Sequence, residues 1–225
     1  MNEKPLGILM ITPFFSPNIG GAETHLDDLC AYLQKRKHRI FVITYQPLTT
    51  RVKAPKFEVR GNLEIRRITW FGYNLFHKLE PYHLLEFIYL TPLLFGYSLL
   101  FSLRHRNEIN VIHAHGLNAA FSANVLKRLF KKRAVVSIHA IYDLPKKPML
   151  SRLMRVILSS FDAMLTLAVR SKMELIGIGL DGGRIRVFTY WVDQTLFRPI
   201  NKEECKKRLG FKGQFVVLFV GRFLE

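Results

Sequence analysis

Short apolar runs and stretches with helical periodicity alternate along most of the chain, which is the pattern of β-α-β units wound about a parallel sheet. Residues 6–12 form an apolar run of strand length, followed by a loop carrying Pro17 and Gly21. Ala22, Leu26, Leu29, Cys30 and Leu33 then recur at the three-to-four spacing that gathers side chains on one helix face. Residues 38–44 read as a second strand, and 57–59 with 63–69, separated by Arg60-Gly61-Asn62, as a short hairpin. Further strands are expected at 111–114, 134–138, 163–167 and 185–188, with helices at 119–130, 150–160 and 171–178. The predicted fold class is α/β, a Rossmann-like doubly wound parallel sheet.

Two segments depart from this rhythm. Residues 84–103 approach the roughly 20 apolar positions that span a bilayer, but they include Glu86 and Pro92. The strand at 111–114 resumes the alternation that precedes them, so a span would put two halves of one sheet on opposite sides of a membrane. The expectation is a buried or membrane-facing helix pair broken near Pro92. After Asp193 and Pro199, residues 201–209 read as a polar, Lys-rich helix and 215–220 as a fresh buried strand. This predicts a domain over 1–199 and, over 200–225, an interdomain helix and the first strand of a second domain cut short.

Composition narrows the partners. A 225-residue chain that is 49% hydrophobic has material for a core, which excludes a disordered polypeptide. Its 34 Lys and Arg against 17 Asp and Glu leave a formal charge of +17, so the expected partner is anionic: nucleic acid, an acidic membrane surface or a phosphorylated small molecule. Cys30 and Cys205 stand without ligand spacing and read as reduced thiols of a cytoplasmic protein. The apolar run at 6–11 lacks a cleavage-site pattern, so no secretory signal is expected.

Candidate chemistry collects at predicted strand ends. Gly20-Gly21-Ala22-Glu23 lies between the first strand and first helix, where the backbone can approach a ligand and helix N–H groups favour phosphate; Glu23 alternatively complements the helix dipole. His113-Ala114-His115-Gly116 closes a strand whose alternate side chains share a face, and His115 falls where ligands bind in open α/β sheets. His113 is expected to be structural. No Cys, Asp or Glu sits at ligand spacing nearby, so no metal is expected. His139, followed by Asp143, ends another strand in the same crevice, as a ligand contact or a loop residue bonded to backbone. Arg170 and Lys172 are candidate phosphate contacts or solvated helix charges.

Taken in order, these residues resemble the family 4 retaining glycosyltransferases of GT-B architecture. Phe15-Ser16-Pro17, Gly20-Gly21-Ala22-Glu23, His25 and the stretch from Lys37-His38-Arg39 to Thr44 look like that family's opening unit. His113-Ala114-His115-Gly116, Ser137-Ile138-His139 and Ala168-Val169-Arg170-Ser171-Lys172 are similar to its successive strand-end motifs, and Val192-Asp193 with Phe197-Arg198-Pro199 to its interdomain signature. Tyr190-Trp191 stands where the family usually has Asn-Gly, which puts a ligand role for that turn in doubt. Residues 14–44 are most similar to transferases that glycosylate phosphatidylinositol.

The resemblance implies transfer of a sugar from a nucleotide-sugar donor to a sugar or lipid acceptor, with retention and without a cofactor or metal. Gly20, Gly21 and Arg222 would face phosphate, His115 would sit near the reacting sugar, and Glu23 would order the loop or touch the acceptor. His139, Arg170 and Lys172 would add substrate contacts. Val217-Leu218-Phe219-Val220-Gly221-Arg222 resembles the first strand of the donor domain, so this length of chain alone is expected to be inactive. A peripheral position at the cytosolic membrane face is expected through the aromatic and basic stretch 70–106. A nucleic-acid-binding α/β module, or a non-catalytic glycosyltransferase fragment, is the alternative.

Overall fold

The computed structural model describes residues 4–72, 74–79, 81–139, 143–144, 148–190, 192, 195, 197–211 and 213–220. The chain divides into two compact units, Met1–Tyr190 and Trp191–Glu225. In the first, β1 (Gly7–Ile11), α1 (Gly21–Lys35) and β2 (Arg39–Tyr45) form the opening unit. The hairpin strands β3 (Phe57–Arg60) and β4 (Leu63–Ile68) follow, then α2 (Leu75–Leu79) and the long α3 (His83–His105). The chain returns through β5 (Val111–His115), α4 (Leu117–Phe130), β6 (Arg133–Ile138), α5 (Pro148–Leu158), β7 (Ala163–Thr166), α6 (Val169–Gly177) and β8 (Ile185–Val187).

The strands form one sheet in the order β3-β4-β2-β1-β5-β6-β7-β8, parallel except for the β3–β4 pair. Strand order therefore runs outward from β1 in one direction and, after α3, outward from β5 in the other. The reversal between β1 and β5 is the point at which open α/β sheets hold ligands, beyond the carboxyl ends of the strands.

Central strands read as continuous apolar runs because both faces are covered. On one face Leu9, Ile11, Phe41, Ile43, Ile112 and Ala114 join a core with α3, α4, α5 and α6. On the other, Ile8, Met10, Ile40 and Val42 pack with Leu26 and Cys30 of α1. The register sets Met10 beside His113, so His113 and His115 lie on the α1 face. Gly7 is required where it stands: a Cβ there would collide with the Glu108 carbonyl, while its N–H donates to Asn110 Oδ1 at 2.7 Å.

Two expectations give way. The helix pair broken near Pro92 is a single helix, His83–His105, with Pro92 inside it. Proline removes the N–H that would serve the Ile88 carbonyl, but Pro92 is exposed and Ile88 is 65% exposed, leaving that carbonyl on the solvent side. Buried Tyr89, Leu90, Leu94 and Phe101 hold both sides of the proline to the same core, and Tyr45 Oη donates to the Leu90 carbonyl at 2.5 Å. By length and composition this helix is apolar enough to cross a membrane, yet a third of its most apolar stretch is buried in the protein.

The second unit contains α7 (Lys202–Arg208), capped by Asn201, whose Oδ1 accepts from Glu203 N at 3.0 Å and Glu204 N at 3.2 Å. The buried strand expected at 215–220 is absent: these residues carry no ladder and are exposed. Apolar composition favours a strand only where a neighbouring edge accepts its backbone hydrogen bonds. Within the second unit no described residue forms a strand that could offer that edge.

Candidate functional site

Gly116 explains why β5 ends as it does. Its backbone lies at φ 83 and ψ 172, a region open essentially to glycine, and the turn sends the chain directly into α4. His115 is thus left at the carboxyl end of β5, beside the strand-order reversal. Its side chain is 2% exposed.

Four histidines meet on this face. The rings of His113 and His115 are 4.1 Å apart by centroid, as alternate residues of one strand. His113 Nε2 lies 2.9 Å from Ser137 Oγ on β6. His115 Nδ1 lies 3.1 Å from His139 Nε2, the two planes 13° apart, so the imidazoles meet edge to edge. His139 Nδ1 lies 2.6 Å from Tyr190 Oη. His25, from α1, stacks on Tyr190 at 4.5 Å with planes 14° apart.

Burial, ahead of the neighbouring histidines, sets the electrostatics of this group. It holds the His113 imidazole down to about 3 and that of His139 to about 4, with His115 far below the ordinary imidazole value. His25 is lowered by burial, partly offset by Asp28. The Tyr190 phenol is pushed up to about 12 by burial and then by Glu23. At neutral pH the site is therefore a set of uncharged rings joined by hydrogen bonds. His115 Nε2 and His25 Nδ1 are buried without a hydrogen-bond partner among the described residues. Within those residues no group of three or more His, Cys, Asp or Glu side chains is placed to hold a metal ion.

The Gly20–Gly21 turn borders the same cluster. A Cβ on Gly21 would lie 3.8 Å from Tyr190 Cε2, and the Glu23 carboxylate folds back over Gly20. Gly20, Gly21, Glu23, His115 and His139 are thus gathered in one place. Arg170 and Lys172 are not joined to it. Arg170 pairs with Glu174 at 3.4 Å and Asp143 at 3.7 Å, while Lys172 Nζ donates to the Ile185 carbonyl at 3.0 Å. Arg222 lies outside the described residues.

Sequence reasoning passed over Tyr190, setting it aside as a departure from a motif, and gave His25 no role. The aromatic positions Phe188 and Tyr190, spaced by two just past the final strand, were the available signal.

A second feature lies between α5 and α6, a cavity of about 720 Å³ lined in part by Arg152, Arg155 and Arg170. Arg152 and Arg155 have no carboxylate partner among the described residues. Pro148 also borders an adjoining groove of about 450 Å³, walled by Leu84, Leu85 and Met149 among others.

Against known proteins, the chain is 23% identical to a subunit of phosphatidylinositol N-acetylglucosaminyltransferase from Arabidopsis thaliana, over 88% of this chain and 43% of the relative. It is 21% identical to the phosphatidylinositol N-acetylglucosaminyltransferase GPI3 subunit of Saccharomyces cerevisiae, over 96% of this chain and 46% of the relative. The chain thus spans somewhat under half the length of these relatives. Among solved structures it is similar in fold to sucrose-phosphate synthase from Thermosynechococcus elongatus, with a TM-score of 0.63 at 14% identity, over 91% of this chain and 52% of that one. Anabaena HepE in complex with UDP-glucose gives 0.58 at 15% identity, over 93% and 51%. The sheet is that of the N-terminal half of a GT-B glycosyltransferase. The family model for Glycosyltransferase Family 4 matches residues 19–196, most of the chain, and the chain belongs to that family.

Proposed function

We propose that this chain supplies the acceptor-side half of a retaining glycosyltransferase, which moves a sugar from a nucleotide-sugar donor to a lipid-linked acceptor. The observation that carries the reading is the buried His115 at the β1–β5 reversal, with an unpartnered ring nitrogen and a link through His139 and Tyr190 to the Gly20–Gly21 turn, in a chain of Glycosyltransferase Family 4. Residues 1–199 form this half, and 200–225 lead into a donor-binding half whose presence the transfer requires.

Donor cleavage develops charge on the leaving diphosphate, and backbone N–H groups at a helix start offset such charge without reorganising. Gly20 and Gly21 give α1 a start that a phosphate can approach closely when the Glu23 carboxylate, folded over Gly20, swings aside. His115, uncharged, contributes a polar contact to the sugar or acceptor rather than a cation. Arg222 would meet the donor diphosphate.

An anionic lipid acceptor is supported by the names of the two curated relatives and by the α5–α6 cavity. Arg152 and Arg155 line that cavity together with Arg170, Asp143 and Glu174, and Pro148 joins it to the apolar groove, an arrangement that a phosphate headgroup with an acyl chain would fit. The outward stripe of α3, with Leu85, Ile88, Leu100 and Leu103 all more than half exposed, supports a peripheral position on a bilayer.

The test is a transfer assay on the chain joined to a family donor-binding half. UDP-N-acetylglucosamine with phosphatidylinositol is the first pair to try, against other nucleotide sugars and soluble acceptors. The reading expects transfer to lipid by the joined protein and none by the chain alone. Turnover by the chain alone overturns the two-half assignment, and transfer confined to water-soluble acceptors overturns the lipid acceptor.

A further inference from the structure

We propose that Tyr190 is a positioning residue whose phenol fixes the tautomers of His139 and His115, so that His115 presents an Nε2–H donor to a ligand oxygen. The turn that carries Tyr190 departs from the family pattern, yet the structure brings it onto His139 across 51 residues of sequence.

Tyr190 Oη and His139 Nδ1 are 2.6 Å apart. An imidazole nitrogen is a far better acceptor than a phenol oxygen, and this phenol stays protonated, so Tyr190 donates and Nδ1 accepts. A neutral imidazole has a single N–H, which for His139 is then on Nε2. That atom is 3.1 Å from His115 Nδ1 and donates to it. The single hydrogen of His115 is accordingly on Nε2.

His115 Nε2 is buried and has no hydrogen-bond partner among the described residues. A buried donor left unmet is unfavourable, and an acceptor oxygen arriving at the β5 end would remove that cost. Hydroxyl and carbonyl oxygens of a sugar or acceptor fit. Were the chain of bonds reversed, with His139 donating to the phenol, His115 Nε2 would carry a lone pair and would select a donor instead. Tyr190 therefore decides the polarity of an atom it does not touch. The stacked His25 ring holds the phenol in place for this.

Only the last step, the ligand oxygen, rests on the glycosyltransferase reading; the tautomers do not, and they are measurable on this chain without a substrate. The experiment is a long-range ¹H–¹⁵N correlation spectrum of the uniformly ¹⁵N-labelled chain near neutral pH. His115→Gln and His139→Gln spectra assign the rings. The expected result is the Nε2–H tautomer for both histidines in the parent, and a mixture of tautomers at His139 and His115 in Tyr190→Phe. An Nδ1–H tautomer at His115 in the parent overturns the proposal without need of any variant. Unchanged single tautomers in a folded Tyr190→Phe overturn the role of Tyr190. For the ligand step, the joined protein with Tyr190→Phe should lose roughly tenfold in kcat with its thermal midpoint little changed; full activity removes the oxygen contact while leaving the tautomer result standing.

Discussion

Arg67 Nη2 on β4 donates to the carbonyl of Ser16, 51 residues earlier in the chain, at 2.9 Å. The same guanidinium reaches the Pro55 carbonyl at 3.0 Å and Glu58 Oε2 at 2.8 Å, with its side chain only 1% exposed. One buried cation thus ties the loop after β1, which leads to the Gly20–Gly21 turn, to the edge hairpin of the sheet.

Arg67→Met should cost about 3 kcal/mol, the lower end for breaking a buried ion pair, since Glu58 stays partly hydrated. Urea unfolding monitored by circular dichroism measures it. Arg39→Met removes the ion pair with Glu108, whose partners are 55% and 36% exposed, and should cost less than about 1 kcal/mol. Equal costs would show that Arg67 is not the tie described here.

The histidine cluster predicts a pH dependence with a defined sign. His113 and His139 titrate at about 3 and about 4 in the folded chain, against roughly 6.5 when unfolded. Between those values the unfolded chain binds more protons, so stability is full above the ordinary imidazole value and falls as pH drops through it toward the folded values. Each such histidine contributes a slope of about 1.4 kcal/mol per pH unit in that window. Thermal midpoints should therefore fall between pH 7 and pH 5, and His139→Gln should flatten the fall by about one proton's slope. A midpoint independent of pH in this window contradicts the buried, neutral cluster.

Much of this architecture was legible because it is local. Apolar runs of strand length and helical spacing depend on near neighbours, and all eight strands among the described residues correspond to runs read from the sequence. The misjudged segments are those whose state depends on what lies beside them. Pro92 breaks a helix in isolation, but here its lost hydrogen bond falls on the exposed side while Leu90 and Leu94 stay in the core. Residues 215–220 have strand composition and no strand to join among the described residues of their own unit. At the site, the strand-end histidines were readable from position alone. The Tyr190–His139 bond was not, since it joins residues 51 apart through tertiary packing. Arg67 left a fainter signal: it stands two residues after Ile65, on the inward parity of Leu63 and Ile65, where an apolar side chain is expected.

The outer face of α3 predicts membrane binding. Leu85, Ile88, Leu100 and Leu103 are exposed along one stripe, with exposed Arg104 and Arg106 at its end. Each basic residue near an anionic surface contributes on the order of 1 kcal/mol. The chain should float with phosphatidylserine-containing vesicles, less so at high salt, and not with neutral vesicles. A double change of Ile88→Lys and Leu100→Glu should lose most of the bound fraction while the thermal midpoint holds. Tighter binding to duplex DNA than to anionic vesicles would favour a nucleic-acid partner for the +17 charge.

His115 should matter to chemistry, and His113 to folding. Both lie on the α1 face of β5, but His113 is engaged with Ser137 Oγ at 2.9 Å, whereas His115 keeps one ring nitrogen unpartnered at the strand end. In a protein carrying both halves, His115→Ala should lower kcat on the order of 100-fold, the usual scale for a positioned polar or proton-transferring group. His113→Ala should mainly lower the thermal midpoint, because it strands the Ser137 hydroxyl and opens a void beneath α1. His115→Gln separates the two ways in which His115 could act. Glutamine keeps an N–H near the Nε2 position but cannot take up a proton, so a contact that only donates should leave His115→Gln well above His115→Ala. If Gln and Ala are equally impaired, proton transfer by the imidazole is the better account, despite burial holding its basicity far down. Near-full activity in His115→Ala would remove this residue from the site altogether.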